Sequence, residues 1–388
     1  MNKTVFVFVV CGAAEHINTL HFSLRYLRKY ARSEIYVVTD TARNEVAIQH
    51  THQIDIRTPE TYTNHQASIY LKTGLHLFLP TGNFYCYLDT DVIALSEQVD
   101  QIFNQFVAPI QFAPDHCSLK MFSSSAINCG CEVEREQNTS LFLAVNDAIQ
   151  KHQNDPVLIA KRQQLELMFN DINKSHVKKV VNQVKFKFSP RFFRLNDDFY
   201  FDKMNGVWND RNHVAVLYES YHREIEKATQ FTYDSVANHW LDKNGIDIWS
   251  QGCNHLVKAI YETFGISVSD TDWQHWNGGV FLFNDSSRRF LDAWHSKCKK
   301  IFNEQNWKTR DQGTLIATVW EFGLQNHPTL DKKWNFLADK NNKKVDFKED
   351  GLFTDNSWET NYRVNFIHVY HNFGDTSWDL WNYILKKQ

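Results

Sequence analysis

Phe84-Tyr85-Cys86-Tyr87-Leu88-Asp89-Thr90-Asp91 is the stretch from which the rest of this chain is read. An apolar run rich in aromatic residues has the character of a buried strand, and two carboxylates follow it one residue apart. A strand that stops at Asp-x-Asp delivers both side chains to a loop at the carboxyl edge of a sheet, where α/β folds hold their ligands. Carboxylate oxygens there suit a hard divalent cation, and such a cation neutralises a bound diphosphate.

Upstream, the chain alternates element types. Residues 5–10 are continuously apolar, and Cys11-Gly12-Ala13-Ala14 is a small-residue turn. Ile17, Leu20, Leu24 and Leu27 then recur at helical spacing, and Ile35-Tyr36-Val37-Val38 is a second short apolar run ending at Thr39-Asp40. This is a β-α-β pattern, which predicts a parallel sheet covered by helices. Its ligand edge would carry the Gly12 turn, Asp40 and the Asp89/Asp91 loop together.

A chain of 388 residues can bury one large core, or a core with an added domain. The formal net charge of -3 gives no electrostatic reason for a nucleic-acid partner. Residues 5–10 are too short for a membrane helix and lead into polar sequence without a cleavage pattern, so they read as a first strand. The seven cysteines are odd in number and scattered, which fits a reducing, cytoplasmic compartment. His116, Cys117, Cys129 and Cys131 hold zinc-binding side chains, but Cys129-Gly130-Cys131 lacks the spacing of the common knuckles, so no zinc site is expected there.

Between residues 116 and 265 the sequence becomes polar, charged and helical in pattern, with helices expected over 158–169 and 221–240. It reads as a mainly helical insertion, an acceptor or lid region, between core segments 1–115 and 266–388. Strand character returns at Gly279-Val280-Phe281-Leu282-Phe283, followed by helices over 288–302 and 312–322. The hydrophilic stretch 340–350 reads as a surface loop. Within the insertion, residues 174–194 interleave Lys178, Lys179, Lys185, Lys187, Arg191 and Arg194 with Phe186, Phe188, Phe192 and Phe193. That mixture is a solvated face backed by core aromatics, or a peripheral contact with an anionic membrane or glycan.

Six short segments, in order, resemble the GT-A glycosyltransferases, most of all glycosyltransferase family 8, the glycogenin and lipooligosaccharide-galactosyltransferase type. They are Tyr70-Leu71-Lys72 before Leu77-Phe78-Leu79-Pro80; Tyr87-Leu88-Asp89-Thr90-Asp91; Asn277-Gly278-Gly279-Val280-Phe281; Asp311-Gln312; Lys333-Trp334-Asn335; and Ile367-His368-Val369-Tyr370-His371-Asn372-Phe373-Gly374. The resemblance covers the two ends of the chain and leaves the middle unmatched. It implies an α/β fold with a Rossmann-like GT-A core and a mostly helical insertion. It also implies transfer of a hexose from a UDP-sugar to a hydroxyl acceptor such as a glycan, with retention of anomeric configuration.

The same resemblance assigns roles. Asp89, Asp91 and His371 would bind Mn²⁺ (or Mg²⁺), with His368 as the alternative to His371. Cys11, Gly12, Ala13 or Ala14, and Asp40 would line the nucleoside. Lys72 and Asp89 would face the donor, Asn277, Gly278 and Gly279 would meet the sugar, and Asp311 and Gln312 would stand near the anomeric carbon. Apart from the resemblance, Trp273, His275 and Trp276 either offer stacking surface to an acceptor or belong to the core. One departure stands out: Gly374-Asp375-Thr376-Ser377-Trp378 lacks the lysine that the family carries after this glycine. Two rival expectations remain: a sugar-nucleotide-binding protein without turnover, and a haloacid-dehalogenase-type phosphatase using Asp89 as nucleophile.

Overall fold

The computed structural model describes residues 3–250, 252–340, 345–347, 352–355 and 360–387. They form two compact units, one made of residues 1–129 and 252–388 and the other of residues 130–251. The second unit is narrower than the expected 116–265, because the flanking residues belong to the first.

In the first unit, strands β1 (Thr4–Val9), β2 (Glu34–Thr39), β3 (Gln53–Asp55), β4 (Phe84–Leu88), β6 (Gln111–Ser118) and β7 (Gln274–Phe283) form one sheet in the order β3-β2-β1-β4-β7-β6. Strands β1 to β4 run parallel, and β7 is antiparallel to both its neighbours. A second sheet, β8-β9-β5, is built from β5 (Val92–Ala94), β8 (Phe336–Ala338) and β9 (Phe366–Val369).

Side chains alternate across a strand, and β1 shows the consequence. Val5, Val7 and Val9 enter one hydrophobic cluster with Leu71, Phe281, Trp294 and Leu315, while Phe6 and Phe8 enter another with Ile17, Leu20, Leu24 and Phe366. The main sheet is therefore apolar on both faces, as a sheet covered on both sides must be. Helix α1 (Ala14–Tyr30) buries Ile17, Leu20, Leu24 and Leu27, the four positions that the helical spacing selects. Helix α2 (Asn64–Thr73) starts at a reciprocal capping box between Thr63 and Gln66. Helices α3 (Leu119–Ala126), α4 (His255–Phe264), α5 (Arg288–Ile301) and α6 (Asp311–Glu321) complete what the later sections use. Full burial of a side chain such as Phe8 or Leu88 contributes about 2 kcal/mol.

The second unit is mainly helical and also carries strands that the sequence pattern did not mark. Helices Cys131–Gln153, Pro156–Lys174 and His176–Phe188 are followed by an antiparallel four-stranded sheet over residues 192–218. The helix expected over 221–240 stops at Thr229, because Gln230 takes a left-handed conformation. A two-stranded ribbon, Thr232–Asp234 with His239–Leu241, follows. Its alternation of aromatic and polar residues suits a strand better than a helix. The expected loop 340–350 lies partly outside the described residues, and Val345–Phe347 within it is a strand paired with Leu352–Asp355.

Candidate active site

Asp89 begins where β4 ends, and its backbone N–H donates to Gly279 O at 2.8 Å. That bond ties the Asp-x-Asp loop to an irregular stretch of β7. Asn277 pairs with Ala113 and Phe281 with Phe112, so Gly278, Gly279 and Val280 are extra residues opposite β6. A Cβ on Gly279 would stand 2.8 Å from His368 Nδ1, so only glycine fits this approach.

Strand pairing then sets the third member of the group. In the β9-β5 pair His368 lies opposite Val92, and Val369 N–H donates to Asp91 O at 3.1 Å. His368 Nε2 consequently sits 3.2 Å from Asp91 Oδ1. Ligand-capable atoms of Asp89, Asp91 and His368 all lie within 4.8 Å of one another. The other ring nitrogen, His368 Nδ1, is 3.0 Å from Asn335 Oδ1. A carboxamide oxygen can only accept, which places a proton on Nδ1 and directs Nε2 toward the carboxylates. Burial disfavours the imidazolium, but Asp91 outweighs it and raises the His368 pKa above 6.5. The same partner holds Asp91 below the usual carboxylate range against the opposing effect of burial.

Lys72 is the second organising residue. It leaves the last turn of α2, is 7 % exposed, and places Nζ 3.0 Å from Asp311 Oδ2 and 3.2 Å from Asp89 Oδ1. Burial alone would discharge it, yet the two carboxylates raise its pKa above 10.5. Tyr87 donates its hydroxyl to Asp89 Oδ1. Asp311 opens α6 as its first residue, where the helix dipole favours a negative charge. Burial works against its ionisation, and Lys72 more than offsets that, lowering its pKa.

A hydrogen-bonded chain connects the two ends of this site. Asn335 Nδ2 donates to Asn277 Oδ1 at 3.0 Å, Asn277 Oδ1 also accepts from Gly279 N at 2.8 Å, and Asn277 Nδ2 donates to Asp115 Oδ2 at 2.9 Å. Gln312 accepts from Gly278 N at 3.0 Å and donates to Trp276 O. Both ends of its carboxamide are thus engaged with the Asn-Gly-Gly segment.

The structure brings together Lys72, Asp89, Asp91, Asn277, Gly278, Gly279, Asp311 and Gln312. It does not bring His371. The turn after β9 carries His371 away to Asp339 Oδ2 at 3.3 Å, with 63 % of its side chain exposed. Asp40 has protein partners: its carboxylate accepts from Thr58 N at 2.9 Å and Thr58 Oγ1 at 2.6 Å and pairs with Arg43 and Arg57, so it fastens the loop after β2. Cys11, Gly12 and Ala13 follow β1 and lead into α1, with Gly12 at φ 101° and close against Asn64. Trp273, His275 and Trp276 are interior residues; Trp276 is 1 % exposed and stacks on Phe112 at 5.3 Å. They offer no face to an acceptor.

Sequence reasoning left Asn335 and Tyr87 without roles inside quoted segments and passed over Asp115 and His65. His65, on the first turn of α2, couples electrostatically to Asp311. Nothing in the local pattern marks Asp115, whose importance comes from a partner 162 residues away. The lysine absent after Gly374 has a neighbour of the same charge, since Lys340 pairs with Asp375 at 2.6 Å.

No protein-family model matches the chain, and no curated protein matches its sequence. Solved structures do. Mouse xyloside xylosyltransferase 1 is 11 % identical over 96 % of this chain and 98 % of its own, at a TM-score of 0.37. The galactosyltransferase LgtC, in complex with donor and acceptor sugar analogues, is 9 % identical over 99 % and 95 %, at 0.41. The glycosyltransferase GlyE of Streptococcus pneumoniae is 16 % identical over 30 % and 31 %, at 0.23. The chain has a mixed α/β fold built on a mainly parallel sheet. Its strand order, with an Asp-x-Asp loop after the central β4 and the small β8-β9-β5 sheet beside it, is consistent with the expected GT-A core.

Proposed function

We propose that this protein is a metal-dependent glycosyltransferase that moves a hexose from a UDP-sugar to a hydroxyl of a glycan or similar acceptor, with retention. The observation that carries the reading is the convergence of Asp89, Asp91 and His368 at the carboxyl edge of the sheet, with Lys72 and Asp311 beside them. Two carboxylates and one imidazole fit Mn²⁺ better than an all-oxygen calcium cage. In this reading His368 replaces His371 as the nitrogen ligand, and Asn335 fixes its tautomer. When bound, the cation supplies Lewis-acid stabilisation of the departing diphosphate.

The chain's own residues supply the rest. Lys72 holds a buried positive charge between Asp89 and Asp311 and orients both. Gln312 positions the Asn-Gly-Gly segment, whose glycines let a sugar approach the backbone. Asp311, held ionised by Lys72, is a weak base, which favours retention over base-assisted inversion. Cys11, Gly12 and Ala13, in the turn after β1, remain the proposed nucleoside wall.

A thermal-shift panel of UDP, GDP, CMP and ADP, each with Mn²⁺ and with EDTA, tests the donor class. Ligand at a hundred times its dissociation constant stabilises the native state by about 2.7 kcal/mol. Stabilisation by UDP only with Mn²⁺ supports the reading, and NMR of the product linkage then tests retention. UDP binding without sugar release would indicate a binding protein. Phosphoester hydrolysis without nucleotide binding would return Asp89 to the phosphatase reading.

Peripheral contact with an anionic membrane is a further part of the proposal. Helix His176–Phe188 buries none of its residues and exposes Val177, Val180, Val181, Val184 and Phe188 among its lysines. No helix among the described residues is long and apolar enough to cross a membrane.

A further inference from the structure

The cysteines that sequence spacing set aside find partners elsewhere. Ligand-capable atoms of Cys129, Cys131, Cys253 and His255 all lie within 4.8 Å of one another. Cys129, Cys253 and His255 belong to the first unit, and Cys131 follows Cys129 by two residues along the chain. None of the cysteines is in a disulfide.

We infer that these four side chains form a structural zinc site, separate from the Asp89-Asp91-His368 group. Three thiolates and one imidazole are a complete tetrahedral set, which leaves no position for substrate. With Zn–S bonds of about 2.3 Å, two thiolates on one tetrahedral ion stand about 3.8 Å apart. Cys129 Sγ and Cys253 Sγ are 3.9 Å apart, nearly twice the length of a disulfide bond and close to that spacing.

The surroundings suit thiolates. Cys253 immediately precedes Asn254, the cap of α4, and His255 is the first residue of that helix. Cys131 likewise opens the helix Cys131–Gln153, behind Gly130 at φ 76°. Helix N-termini favour negative charge and stabilise thiolates. Ser123 supports the group from α3. Its Oγ accepts from Leu256 N at 2.9 Å and lies 3.2 Å from Cys253 Sγ, so its own proton is available to a thiolate. The backbone at Cys253 is also fixed, since Cys253 N–H donates to Lys120 O at 2.9 Å.

The arrangement explains why a motif search fails here. Each half of the site, Cys-Gly-Cys and Cys-Asn-His, has one intervening residue, and 121 residues separate Cys131 from Cys253 if the intervening sequence from Glu132 to Gly252 is counted. The two halves flank the insertion in sequence. Zinc would therefore tie together the chain segments at which the insertion begins and ends, closing a long loop.

The experiment is elemental analysis of the full chain purified without chelator or metal-affinity resin. The expected result is about one zinc per chain in the wild type and in Asp91→Asn, and close to none in Cys253→Ser. Should Cys253→Ser fail to fold, wild-type protein answers alone. Titration with a mercurial should release the zinc, and exchange with Co²⁺ should produce the sulfur-to-cobalt charge-transfer band of a tetrahedral thiolate site. The carboxylate-imidazole group cannot give that band. Loss of zinc from Asp91→Asn instead, an exchanged protein without the sulfur band, or a Cys129–Cys253 disulfide in metal-free wild type would each overturn the inference.

Discussion

The imidazole of His368 stands 3.2 Å from the carboxylate of Asp91, held there by strand pairing between β9 and β5. Three residues further on, His371 serves Asp339 instead. The two histidines therefore separate cleanly in a kinetic test. His368→Ala is expected to lower Mn²⁺-dependent cleavage of UDP-sugar by about 100-fold or more, because it removes the proposed nitrogen ligand of the cation. His371→Ala should remain within about threefold, as an exposed side chain leaving a weak pair. Equal losses in the two variants, at matched Mn²⁺ concentrations, would sink the reassignment.

Lys72 offers a test of the charge arrangement. Its removal as Lys72→Met leaves Asp89 and Asp311 facing each other without a cation, and breaking such a buried pair costs about 3 kcal/mol. Urea unfolding should show that loss. Adding Asp311→Asn to Lys72→Met should recover part of the stability but not the activity, since one unpaired charge disappears while the site stays incomplete. A strictly additive double variant would mean that the two side chains act independently.

How far the sequence carried this site depends on the range of each interaction. The β-α-β pattern, the strand ending in Asp-x-Asp and the Asn-Gly-Gly segment are local signals, and the structure places each at the expected edge. His368 was left as an alternative because its role comes from β9 lying beside β5, a pairing between residues far apart in sequence. The partners of Asp40 were hidden for the same reason, because Thr58 and Arg57 are contributed by the loop after β3. The tryptophans before Asn277 illustrate the limit of composition. Stacking surface and core surface use the same side chain, and only packing against Phe112 shows Trp276 to be core.

A buried histidine next to the Lys72 helix sets a pH dependence of stability. His295 is 3 % exposed, lies 2.9 Å from Thr73 Oγ1, and burial, reinforced by Lys299 and His76, lowers its pKa from 6.5 to about 4. Protonation therefore favours the unfolded chain. The contribution is complete above pH 6.5 and is lost as pH falls through the window from 6.5 to about 4, up to about 3 kcal/mol. His295→Leu should flatten that part of the profile, because Thr73 Oγ1 already donates to Ile69 O. Unchanged pH dependence of the urea midpoint in this variant would place the titration elsewhere.

Helix His176–Phe188 allows charge and hydrophobic burial to be told apart at a membrane surface. Val177 is 71 % exposed, Val184 51 % and Phe188 78 %, an apolar stripe that costs solubility unless something covers it. Lysines beside it attract anionic lipid by about 1 kcal/mol each near the surface, an effect that salt screens. Flotation with phosphatidylcholine vesicles containing phosphatidylserine should recover the protein at low salt and less of it at high salt. Val184→Asp with Phe188→Asp should reduce recovery at both, because the apolar contribution does not depend on salt. Neutralising Lys178, Lys179, Lys185 and Lys187 should remove mainly the salt-sensitive part. Absence of flotation at low salt would leave this helix as a solvated face and exclude the membrane from the proposal.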